Sequence, residues 1–102
     1  MPIYRLTPDA QTDLIEIRRF TVKQWGEAQS RKYLSELRQT LRLLAESPDL
    51  GTSRPDVGPD ILSFRHLSHV IYYVAHQQPL IVFGVLHKRM VPLPHLAGRG
   101  LI

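Results

Sequence analysis

Apolar positions recur along this chain with two different periods, and the change of period divides it. Residues 3–6 (Ile-Tyr-Arg-Leu) form a short β-prone run. Thr7-Pro8-Asp9 then reads as a helix start, with Thr7 as N-cap, Pro8 in the first turn and Asp9 against the positive end of the helix dipole. Ala10, Leu14, Ile17, Thr21 and Trp25 follow at three- and four-residue spacing, which is one face of a helix. Gly26 is placed to end it. Leu34, Leu37, Leu41 and Leu44 make the stripe of a second helix, with Tyr33 and Ala45 beside it. Arg31, Lys32, Glu36, Arg38, Arg42 and Glu46 are mostly directed to water, and Pro48 stops the helix. Two amphipathic helices on so short a link predict an antiparallel hairpin.

The period then shortens. Residues 47–60 are rich in proline, glycine and aspartate and read as a loop. Ile61 to Arg65 and His69 to Val74 are strands by their β-branched and aromatic content, with a hairpin turn between them. Ala75 to Pro79 is a turn. Leu80 to His87 is nearly all apolar and so belongs at the centre of a sheet. Gly84 within it marks a bulge or a close backbone approach. Beyond Met90 the prolines and glycines predict no regular element, with a loosely held end from about residue 97. Deleting residues 97–102 is then expected to cost less than about 1 kcal/mol. The order β-α-α-β-β-β predicts one α+β domain over residues 1–102. Its N-terminal strand joins a mostly antiparallel four-stranded sheet, and the helix hairpin packs on one face.

Charge alters this picture. All nine Asp/Glu lie at or before Asp60, and all five His lie beyond it, with Arg65, Lys88, Arg89 and Arg99. The formal net charge of +4 therefore belongs to the sheet-forming end. Such a half is poorly suited to paired-carboxylate chemistry and well suited to meeting something anionic. With no cysteine there is no disulfide framework, thiolate nucleophile or cysteine zinc site. No apolar run approaches a membrane span and no signal segment opens the chain, so the cytosol is the default compartment.

Five segments in order resemble the ParE toxins of the RelE/ParE superfamily, the toxin halves of bacterial toxin–antitoxin pairs. Tyr4-Arg5-Leu6-Thr7-Pro8 with Ala10, Asp13 and Leu14 is similar to the family's opening strand and helix start. Trp25-Gly26-Glu27-Ala28-Gln29 with Tyr33-Leu34 is similar to its helix turn, and Leu44-Ala45-Glu46-Ser47-Pro48 with Leu50-Gly51 to its helix end. Ser63-Phe64-Arg65 with Ser68 to Tyr73 resembles its middle hairpin. Val85 to Met90 with His95-Leu96 resembles its last strand and tail. The resemblance implies a RelE/ParE-like fold, inhibition of DNA gyrase without turnover, and a cognate ParD-like antitoxin that binds the toxin in a hetero-oligomer. It implies no cofactor, no metal and no direct sequence-specific nucleic-acid binding.

The candidate residues follow from both readings. Arg65, His66, His87, Lys88, Arg89, Met90 and His95 form the candidate surface for target or antitoxin. The alternative is ribosome-dependent mRNA cleavage, as in the ribonuclease branch of the superfamily. There the resemblance assigns Arg89 and Arg65 to the phosphate and His95 to proton transfer. The lysines or acids that those ribonucleases place before the hairpin are missing, since Gly58 to Leu62 supply only Asp60. His66 and His69 form an H-x-x-H pattern, with His87 later. Residues three apart on one strand face opposite sides, so no metal site is expected. His69 is expected to be a semi-buried strand residue hydrogen-bonded to backbone. Phe64, Tyr72, Tyr73, Phe83 and Trp25 read as packing residues, and Arg18, Arg19 and Lys23 as a solvated face.

Overall fold

The computed structural model describes residues 3–76 and 78–101. Met1, Pro2 and Ile102 lie outside that range, as does Gln77 within the expected 75–79 turn. The elements are β1 (Tyr4–Leu6), α1 (Pro8–Trp25), α2 (Glu27–Glu46), a 3-10 turn (Pro48–Leu50), β2 (Thr52–Ser53), β3 (Leu62–His66), β4 (His69–Val74), β5 (Leu80–His87) and α3 (Pro92–Leu96). The sheet runs β1-β5-β4-β3-β2. β1 is parallel to β5 and every other neighbour pair is antiparallel. The α+β class and the strand–helix hairpin–sheet order are as expected.

Two details differ from the sequence reading. A fifth strand, β2, lies inside the 47–60 loop, because Thr52 and Ser53 pair with Ser63 and Leu62. The tail carries α3 despite Pro92 and Pro94. Both prolines fall in its first turn, where a helix leaves its N–H groups unused.

Local chemistry sets the helix hairpin. The Thr7 hydroxyl accepts from Ala10 N–H at 3.2 Å and caps α1. Gly26 joins the helices at φ 89, a conformation that a Cβ disfavours. Across the joint, the buried hydroxyls of Thr21 and Ser30 lie 2.6 Å apart. The stripe of Leu37, Leu41 and Leu44 meets Ile71, Tyr73, Leu80 and Val82 on the helix-facing side of the sheet. The other face has a smaller core. There Tyr72, Val74, Phe83 and Leu86 are covered by Leu96 of α3 and by Val57 and Ile61 of the loop before β3. Phe64 is half-buried and Tyr72, Tyr73 and Phe83 are buried, so all four are packing residues. Trp25 is 49% exposed, its ring tilted against Tyr33 at 5.9 Å.

Both readings of Gly84 hold. The register slips between Tyr72 and Tyr73, which pair with Gly84 and Val82, so Phe83 is the extra residue of a bulge. A Cβ on Gly84 would lie 2.5 Å from Leu96 Cδ2. The bulge thus lets α3 settle directly on the strand.

Candidate functional site

The β3–β4 hairpin turns at Leu67-Ser68, with Leu67 at φ 51, so His66 pairs directly with His69. His69 in turn pairs with His87 on β5. Strand alternation separates residues three apart, but a two-residue turn between them restores one face. Three imidazoles therefore stand in a row at the end of the sheet. Among the described residues, no group of three His, Asp, Glu or Cys side chains converges to hold a metal ion.

Each ring in the row has its own partner. His66 Nδ1 lies 2.9 Å from the Thr40 hydroxyl, while its Nε2 is buried without a partner among the described residues. His69 is buried as expected, but its Nδ1 meets the Tyr33 hydroxyl of α2 at 2.7 Å rather than backbone. His87 Nδ1 accepts from Arg89 N–H at 3.2 Å. The Tyr33 ring stands edge-on to both His66 and His69, at 5.6 and 5.5 Å. Burial pushes His69 down from 6.5 to about 4, helped by the neighbouring His87 and His66. Burial also lowers His66, opposed by Glu36, and raises Tyr33.

The row ends at the open edge of β5. β1 pairs with β5 only as far as Val82, and beyond that point the edge meets Asp13 of α1 and Arg99, which follows α3 in the tail. The Asp13 carboxylate accepts from Val85 N–H at 2.9 Å. Arg99 donates to Phe83 O at 3.2 Å and binds Asp13 through both NH groups, at 2.6 and 3.2 Å. An ion pair thus satisfies Val85 N–H and Phe83 O, two of the groups that a further strand would otherwise hold. Asp13 also raises the Arg99 pKa, foremost by its hydrogen bond. Arg99 Nε donates to His95 O at 2.9 Å, so the same guanidinium fixes α3.

A cleft of about 390 Å³ lies along this edge, lined by Asp13, Glu16, Ile17 and Phe20 of α1, His69, β5 from Val85 to His87, Met90, His95 and Arg99. Of the residues singled out in the sequence, His87, Met90 and His95 line the cleft. Lys88 and Arg89 are exposed in the turn between His87 and Met90. His66 is half-buried under α2. Arg65 is not part of the lining. It shares a row with Val70 and Leu86 on the face opposite the helices, and its Nε donates to Leu67 O at 2.9 Å.

Asp13, Phe20, Tyr33 and Arg99 escaped the sequence reading as site residues. Asp13 did leave a signal, since it sits at the stripe spacing of Ala10, Leu14 and Ile17, where a carboxylate needs a partner. The acid-free end of the chain thus receives its carboxylates, Asp13 and Glu16, from α1. The expectation of a loosely held end does not extend to Arg99, whose side chain is anchored at three places.

Comparison with known proteins agrees with this architecture. The family model for the ParE toxin of the type II toxin–antitoxin system parDE matches residues 4–92. The chain is 32% identical over 100 residues to Toxin ParE of Escherichia coli, covering 97% of both chains. It is 31% identical over 96 residues to Toxin ParE1 of Caulobacter vibrioides, covering 94% of this chain and 99% of that one. Among solved structures, a chain of the chromosomal ParDE TA system from P. aeruginosa matches with a TM-score of 0.72 at 16% identity. That match covers 85% of this chain and 96% of the other, and it is a likeness of fold.

Proposed function

The chain belongs to the ParE family of toxins of type II toxin–antitoxin systems, and from that premise we propose that it inhibits DNA gyrase without chemical turnover and is neutralised by a cognate ParD-like antitoxin. It acts in the cytoplasm, as a domain whose working surface is the cleft beside β5 with the turn and tail that follow. His87, Lys88, Arg89, Met90 and His95 form that surface. His66 supports it from beneath α2, and Arg65 belongs to the opposite face.

One observation supports the mode without turnover. Arg65 is not in the cleft wall that carries His95: α3 packs on the sheet face that Arg65 shares, but β4 lies between Arg65 on β3 and the β5 edge. Cleavage needs the phosphate ligand and the proton carrier at one scissile bond, and the cleft wall holds His95 without Arg65. Inhibition by binding needs only shape and charge.

The test is induction of the protein in growing cells, with plasmid supercoiling and mRNA integrity followed in parallel. Loss of negative supercoiling with intact mRNA is the expected result. Ribosome-dependent mRNA fragments with normal supercoiling would replace this reading by the ribonuclease one.

The same surface sets the expected salt dependence of antitoxin binding. Lys88 and Arg89 are exposed, and exposed charges act mainly on the encounter rate. Raising salt should therefore slow association several-fold while leaving dissociation nearly unchanged. An association rate indifferent to salt in stopped-flow mixing would remove these cations from the account.

A further inference from the structure

The cleft beside β5 presents two imidazoles whose protons are fixed from behind. The Tyr33 phenol lies 2.7 Å from His69 Nδ1 and 3.5 Å from His66 O, two acceptors for one proton. The 2.7 Å contact is much the shorter of the two, so Tyr33 donates to Nδ1 and the His69 proton sits on Nε2. Arg89 N–H donates to His87 Nδ1, which sets the same tautomer there. The two rings stand 5.6 Å apart at 84°, both on the cleft wall. His69 is 6% exposed, and among the described residues its Nε2 has no hydrogen-bond partner.

The surroundings select what these donors can hold. Phe20 and Met90 offer apolar surface, 54% and 43% exposed. The two carboxylates of the wall are matched already, Asp13 by Arg99 at 2.6 Å and Glu16 by Arg19 at 3.1 Å. Lys88 and Arg89, between His87 and Met90 in the chain, add positive charge. Part of the backbone edge is engaged as well. Val85 N–H goes to Asp13, Phe83 O receives Arg99, and His87 O receives Met90 N–H at 2.9 Å. A partner strand would find these groups taken, so side chains have the readier access. Two fixed N–H donors between apolar walls, under net positive charge, complement a carboxylate on an apolar stem.

We propose that this cleft seats an acidic side chain of the antitoxin, with its carboxylate on the Nε2–H groups of His69 and His87 and its apolar neighbours against Phe20 and Met90. The assignment rests on the antitoxin reading above and names the contact through which that reading operates. Tyr33 is the positioning residue, since it acts on the ligand only through the tautomer of His69.

The probe is 3-phenylpropionate, a carboxylate on an apolar stem, with 3-phenylpropionamide as its uncharged counterpart. Each is titrated onto the free toxin while the imidazole ¹⁵N resonances are followed. The acid should bind at least ten-fold more tightly than the amide and should shift the Nε2–H signals of both rings. His87→Ala changes a half-exposed ring and should abolish the preference for the acid. Tyr33→Phe keeps the ring packing, releases the His69 tautomer and should reduce the preference several-fold. Equal binding of acid and amide, or a preference that survives both substitutions, overturns the subsite. Both variants are then mixed with the cognate antitoxin, and His87→Ala should bind it at least ten-fold, and Tyr33→Phe several-fold, more weakly than the unsubstituted toxin. An antitoxin that holds all three proteins equally overturns the subsite and leaves the antitoxin reading standing. An acid-selective cleft in a toxin that binds no antitoxin overturns that reading and the assigned source of the carboxylate.

Discussion

Asp13→Ala should lower the unfolding free energy by about 3–5 kcal/mol, the cost of leaving one member of a buried ion pair alone. The lower end of that range is expected, because the Asp13 and Arg99 side chains keep 13% and 17% of their surface exposed. The loss has three parts. Arg99 keeps its charge without a carboxylate, Val85 N–H loses its acceptor, and the guanidinium that ties α3 to β5 loses its anchor on α1. Arg99→Ala should act through the same contacts, so the double variant should cost much less than the sum of the single ones. Urea unfolding of the three variants measures this. Single-variant losses below about 1 kcal/mol would mean that the pair behaves as a surface contact. Deletion of residues 97–102 should cost about as much as Arg99→Ala, because it removes the same side chain.

Acid should destabilise the protein through His69. Its pKa falls from 6.5 in the unfolded chain to about 4 in the folded one. The unfolded state therefore binds more protons between those values, and stability rises with pH across that window. The contribution is fully present above 6.5 and is lost as pH falls through 4, for a total of about 3 kcal/mol at 1.36 kcal/mol per unit. His66, lowered in the same direction, adds to the slope. The groups around this ring are Tyr33 of α2, His66 of β3 and His87 of β5, with Asp13 and Glu16 of α1 in the adjoining cleft. His69→Gln should flatten the dependence of unfolding free energy on pH between 7 and 4. An unchanged slope in that variant would assign the acid sensitivity to other groups.

The helices were legible because their stripes repeat over many turns. Thr7, Pro8, Gly26 and Pro48 also mark their ends with residues suited to those positions. The long strands were legible from unbroken β-prone runs. β2 was not, because two residues carry no period and exist as a strand only through register with Ser63 and Leu62. α3 was hidden by its prolines, which a first helical turn accepts. The site was legible in its histidines and less so in its geometry. A strand rule separated His66 from His69, and only the two-residue turn brings them together. Arg99 looked like part of a mobile end because its partner, Asp13, is 86 residues away in sequence. Tyr33 read as core, and it is core, but its hydroxyl also fixes a ring on the cleft wall.

The account stands most directly on a titration of DNA gyrase with the purified protein, run beside ribosome-bound mRNA in the same buffer. Inhibition of supercoiling should grow in proportion to the ratio of toxin to gyrase, reverse on addition of antitoxin and leave the mRNA whole. Cleavage of the mRNA by substoichiometric protein, abolished by His95→Ala and accompanied by untouched gyrase activity, would contradict it.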